Sequence, residues 1–376
     1  MFKSVIAALA ATPLVAGQEL MRFGCSQLTF DQLDPLVEPG ALPSGHMHQI
    51  IGGNSFNATM LADHNPPKRA TCTSCTYSED FSNYWTPNLY FRHKNGTFKH
   101  VEIFTNLGLG VKGGMTVYYI RGYSASQKVT AFKPGFRMVV GDPNNRDPAK
   151  MQKQLCYRCE ANFRQQPFGG APCSGSDTKV FPKQACPGGW RVSLHFPTCW
   201  DGKNLDSANH KDHIVYTSQG TFESGGACPS THPIRMPQLM YEIMFDTSPF
   251  LEKDWWVDGD ISKSFVWSMG DDTGAGLHGD YLFGWQEDAL QRAMDTKCAN
   301  DRCGALKRQS DADAIACTQK QQANIAYKSD GCKFLTTAPR SGGNENERDA
   351  NNDNRDDQSS QWRHREQGKG WKIGNR

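Results

Sequence analysis

Apolar and polar positions alternate in two long runs of this chain. Trp190, Val192, Leu194 and Phe196 are interleaved with Arg191, Ser193 and His195, and residues 239–245 alternate in the same way. A period of two sends successive side chains to opposite faces of an extended backbone, so each run predicts a strand with one face buried. On that pattern His195 is a partly exposed sheet residue. Residues 117–120, 136–140, 214–216 and 265–267 predict further short strands, separated by Gly, Pro and Asn turn signals. Short strands with long irregular connections point to a mainly β protein, a sandwich or jelly-roll-like single domain with long loops. One C-terminal helix is expected at residues 286–297. It has acidic residues in its first turn, Leu290, Ala293 and Met294 at helical spacing and a lysine at its end.

Composition sets the compartment. Lys3, an apolar stretch over residues 4–15 and the small residues Val15-Ala16-Gly17 read as a signal peptide spanning residues 1–17, with the mature chain starting near Gln18. No other segment approaches the roughly 20 apolar residues of a membrane span. Thirteen cysteines follow the cleavage point, which in an exported chain reads as a disulfide framework with one cysteine left over. Asn57-Ala-Thr59 and Asn95-Gly-Thr97 are glycosylation sequons. A net charge of +2, with basic residues scattered along the chain, gives no nucleic-acid footprint. The expected organisation is a β-rich core at 18–297, a cysteine-rich extension at 298–336 and a disordered polar tail at 337–376. In the extension, Cys298, Cys303, Cys317 and Cys332 are expected to form two local staples. The chain is taken to be secreted and monomeric, with no nucleic-acid or membrane partner.

Candidate chemistry lies in the loops. Cys72-Thr-Ser-Cys75 and Cys156-Tyr-Arg-Cys159 have zinc-ligand spacing, but outside the cell they are expected as disulfides, to each other or to Cys173, Cys186, Cys199 and Cys228. The histidines are more informative. His46 and His48 are two residues apart, as are His278 and Asp280, so an extended backbone aims both members of each pair at one side. His210 and His213 are neighbours only on a helical turn. Asp271 lies in the turn-rich approach to His278. Glycosidase chemistry needs two carboxyl groups, and Asp201, Asp258, Asp260, Asp271, Asp272 and Asp280 are all candidates. Aromatic pairs such as Trp255-Trp256 suit sugar rings, although at least half of the aromatics are expected in the core. No serine-hydrolase elbow, zincin helix, phosphate loop or dinucleotide fingerprint occurs.

Several motifs in one order carry a resemblance. Leu33-Asp34-Pro35-Leu36-Val37 with Pro39-Gly40, Gly45-His46-Met47-His48, Ser82-Asn83-Tyr84-Trp85-Thr86-Pro87, Pro197-Thr198-Cys199-Trp200-Asp201-Gly202 and His278-Gly279-Asp280 resemble a fungal secreted family catalogued as a domain of unknown function. That family is often fused to carbohydrate-binding WSC modules, and the similarity covers residues 22–285. It implies an extracellular or cell-wall setting and supplies no catalytic set. The combined expectation is a protein acting on cell-wall polysaccharide, by hydrolysis or elimination. His46, His48, His213, Asp271, His278 and Asp280 would share one cleft, and His46, His48, His278 and Asp280 would hold a divalent metal ion. The alternative is a non-catalytic glycan- or metal-binding wall protein or stress sensor.

Overall fold

The computed structural model describes residues 19–104, 113–122, 128–162, 172–218, 226–296, 298 and 300–323. The signal peptide, Cys332 and the polar tail lie outside these residues. Two antiparallel sheets dominate. The first runs in the order Glu19–Cys25, Met115–Gly122, Gln238–Phe245, Trp190–His195 and Leu155–Cys159, with Ile103–Phe104 also paired to Gln238–Phe245. The second runs Thr29–Asp31, His48–Gly52, Asn83–Pro87, His278–Leu282 and Arg137–Gly141. Two three-stranded sheets flank them, one joining Phe265–Trp267 to Leu89–Arg92 and Phe98–His100, the other built on Cys199–Trp200.

The two large sheets pack face to face, as a mainly β sandwich. Tyr84 and Tyr281 of the second sheet meet Tyr119 of the first through their hydroxyls, at 2.9 and 3.0 Å. Tyr84 also donates to the buried Asp80 and Tyr119 accepts from Trp285 Nε1, so the polar atoms inside the sandwich are paired with one another. Strand periodicity then fixes the opposite face. With Tyr84 and Tyr281 inward, Trp85, His278, Asp280 and Leu282 point outward, beside Ile50 and His48 of the neighbouring strand. Leu33, Leu36, Phe56, Ala58 and Met60 cover this outer face and form an apolar cluster with Ile50, Trp85, Val139 and Leu282.

Three expectations are corrected. The strands Trp190–His195 and Gln238–Phe245 are buried on both faces, and His195 is fully buried. Asp177, from residues 172–178, lies against the face that carries Arg158 and Arg191. Arg191 pairs with the buried Asp177 at 3.3 Å, and His195 Nδ1 lies 3.2 Å from Gln154 O. The C-terminal helix is shorter than its periodicity suggests, Ala289–Asp295, because Glu287 sits in the left-handed region at φ +45° and cannot be helical. Its Leu290, Ala293 and Met294 are buried as expected.

All twelve cysteines in the described residues are oxidised: Cys25–Cys75, Cys72–Cys317, Cys156–Cys173, Cys159–Cys186, Cys199–Cys228 and Cys298–Cys303. Neither Cys-x-x-Cys pair closes on itself. Of the two local staples expected in the extension, Cys298–Cys303 forms among the described residues. Cys317 reaches back 245 residues to Cys72, because residues 317–323 run along residues 28–31, at the first strand of the second sheet, rather than folding on themselves. Among the described residues no helix is long and apolar enough to cross a membrane.

Candidate metal centre

Three imidazoles converge on the outer face of the second sheet. His48 opens its strand and His278 opens another, with Pro87 of the Asn83–Pro87 strand opposite His48 in the register. Both rings leave the same face of the sheet, and their centroids lie 5.8 Å apart. His46 stands in the bend before the strand, where the chain turns to bring its ring 4.2 Å from His48 and 5.0 Å from His278. One ligand nitrogen from each residue can be chosen so that all three lie within 4.8 Å of one another. All three residues are buried, His46 being the most open at 8 %.

The hydrogen bonds orient these rings. His48 Nδ1 lies 3.0 Å from Leu33 O and His278 Nδ1 lies 2.9 Å from Gly276 O, and a carbonyl can only accept, so each Nδ1 carries the proton. The lone pair of each ring is therefore on Nε2. His48 Nε2 has no protein partner, and His278 Nε2 lies 3.0 Å from His46 Nε2. Burial holds all three imidazoles neutral: it lowers His46 and His48 well below the usual range and His278 to about 4, and the neighbouring rings deepen the shift at His46 and His48. A neutral imidazole with Nδ1–H tied to a carbonyl and Nε2 free is the form that ligates a transition metal. Two nitrogens about 2.0–2.1 Å from one tetrahedral zinc ion stand roughly 3.3 Å apart, close to the spacing of His46 and His278.

The other expected members divide. Asp280 lies two residues beyond His278 on the same face, fully buried, and neither carboxyl oxygen has a protein partner. Burial raises its pKa well above the usual range, with Asp34 adding to the shift. It stands outside the compact group of ligand atoms. His213 is turned elsewhere, its Nε2 2.9 Å from Arg137 O and its Nδ1 2.9 Å from Ser207 Oγ. Asp271 organises a turn, accepting from Thr273 N and Oγ1 and from Gly276 N, and so fixes the carbonyl that orients His278. The remaining carboxylates have local work. Asp201 and Asp260 accept from backbone amides of their own turns, Asp258 pairs with Lys263, and Asp272 pairs with Arg92.

Two groups were not singled out by sequence reasoning. Asp34 is buried and accepts from Leu36 N and Val37 N, yet burial still raises it to about 6. Lys211 places its Nζ 2.6 Å from Gly141 O, the residue opposite His278 in the register. The partners of Asp34 are two and three residues on, but its burial comes from the fold, and the partner of Lys211 is 70 residues away, so spacing along the chain marks neither group.

No curated protein and no solved structure gives a significant match to the chain. The family model described as Domain of unknown function (DUF1996) matches residues 34–285, a span holding all three imidazoles, and the chain belongs to that family.

Proposed function

We propose that this protein is an extracellular metalloprotein in which His46, His48 and His278 hold one divalent transition ion, and that the centre acts on polysaccharide by hydrolysis or elimination. The observation that carries the metal reading is the convergence of three buried, neutral imidazoles, two of them with Nδ1 fixed on backbone carbonyls. Leaving His48 Nε2 unpartnered in a dry site costs free energy that a shared cation offsets. Three nitrogen ligands leave a tetrahedral ion one open position, as in catalytic rather than structural zinc sites. The ion would supply Lewis acidity there to a glycan oxygen or carboxylate. Asp280, buried and unpartnered on the same face, supports a role as acid or base beside it.

Six disulfides and the exposure of Asn57 and Asn95 support export through a secretory route. Mass spectrometry of the secreted protein should then find an amino terminus near Gln18 and glycan on both asparagines. The polysaccharide part is supported by the wall setting that the sequence resemblance implies. The depth of the three rings favours a second reading, a glycan- or metal-binding wall protein without turnover. Incubation with a panel of fungal and plant wall glycans, with and without chelator, separates the two. Chelator-sensitive new reducing ends or unsaturated products support the enzyme; retention on insoluble glycan without products supports the binding protein. The absence of both retention and products removes the glycan reading.

A further inference from the structure

Two cations stand beside the histidine cluster. Gly141 adopts φ +81°, and a Cβ there would lie 2.2 Å from Leu277 O and 3.0 Å from His278 Cβ, so only glycine lets this strand end press against His278. Lys211 grips the carbonyl of that same residue at 2.6 Å. Among the described residues no carboxylate lies within ion-pair distance of Lys211, and one bond to a carbonyl leaves its ammonium two further donors. Arg146 donates to Pro143 O, Asn145 O and Met269 O and stands 3.8 Å from Asp271, which holds Gly276 and through it His278. The fold thus ties both cations to the His278 ring, and Lys211 acts electrostatically on Asp280 as well.

Charge at the cluster depends on the ion. Asp142 stands exposed beside His278, Asp271 faces Arg146, and Glu38 accepts from Gly45 N next to His46, so the protein's own carboxylates at least match its two cations. A divalent ion on the three imidazoles would turn the balance positive and favour an anion over a neutral sugar.

We propose that Lys211 anchors a carboxylate of the ligand of the histidine centre, so that the substrate class is a uronate-bearing, acidic glycan rather than a neutral one. This rests on the reading of the centre as a glycan site. A side chain held at its tip by Gly141 O is pre-positioned, which limits the entropy lost on ligand binding. Arg146 is a positioning residue: it fixes the turn that orients His278 and contributes long-range charge.

The test is calorimetric titration of the full protein, zinc-loaded and zinc-free, with trigalacturonate and with its neutral methyl ester, which share one skeleton and differ in charge. The acid should bind the wild type and the ester at least about tenfold more weakly, the scale of one charge-assisted hydrogen bond. Lys211→Met should weaken the acid by about tenfold and leave the ester unchanged. Lys211→Arg should restore most of the affinity. Zinc uptake by Lys211→Met, measured in parallel, shows that the centre is intact. Equal binding of acid and ester, undiminished binding of the acid by Lys211→Met, or no binding of either ligand overturns the proposal. A wild type that takes up no zinc but still discriminates acid from ester through Lys211 removes the metal reading and keeps this one.

Discussion

At Gly279 a missing side chain sets how closely the two sheets approach. A Cβ there would stand 2.9 Å from Leu194 Cδ2 and 3.3 Å from Tyr241 Cε2, across the interior of the sandwich. Gly279→Ala forces those side chains off their packing and should cost about 1–3 kcal/mol, read as a lowered Tm. An unchanged Tm would show that the interface has slack. Nearby, Asp80 accepts from Ser82 N and from Tyr84 Oη at 2.6 Å, but its burial outweighs those bonds and raises its pKa to about 7. The folded protein therefore keeps a proton that the unfolded chain, with a pKa near 3.8, gives up between those values. The stability this contributes is full below the lower value and is lost as pH rises through the upper one, at up to ~1.4 kcal/mol per unit. Asp80→Asn removes that dependence, so the wild-type advantage over it should shrink from pH 4 to pH 7 in denaturant titrations. A constant difference would mean that Asp80 is ionised throughout. The same scale shows what spacing can reveal: His48, His278 and Asp280 lie in extended backbone, and a period of two places them. His195 follows the same rule yet is buried, because Gln154 and Tyr216, which cover it, come from distant parts of the chain.

Elements beyond the sandwich depend on long-range ties. Residues 317–323 lie along the second sheet as a strap, with Gln319 N donating to Leu28 O, and Gln322 N and Ala323 N donating to the buried carboxylate of Asp31. Cys72–Cys317 fastens its start. Replacing both cysteines by serine should cost about 2–5 kcal/mol and speed proteolytic cleavage within the strap. Unchanged cleavage would show that the Asp31 contacts suffice. An exported setting predicts Cys72 as oxidised and Cys317 in a local staple, but a partner 245 residues away is chosen by topology. The helix Ala289–Asp295 shows a similar limit: its apolar stripe was legible, whereas its start was set by the backbone of Glu287.

Across the whole molecule, alternation and turn signals were enough to identify a β sandwich, since both are local. Which face would be covered was not, because Leu33, Leu36 and Phe56 reach the outer face of the second sheet from loops. That cover meets the histidine cluster at Leu33, whose carbonyl accepts from His48 Nδ1. Six disulfides account for twelve of thirteen cysteines, so thiol labelling of the denatured, unreduced protein should modify at most one residue per chain. Four or more labelled residues would contradict the framework. The central claim is that these imidazoles share one ion, and the direct measurement is metal content after chelator stripping and reloading with zinc. The wild type should retain about one zinc per chain, and His48→Ala and His278→Ala should each lose it while keeping the circular dichroism of the folded protein. A folded wild type that retains no metal, or a folded His278→Ala that retains as much as the wild type, would contradict the account.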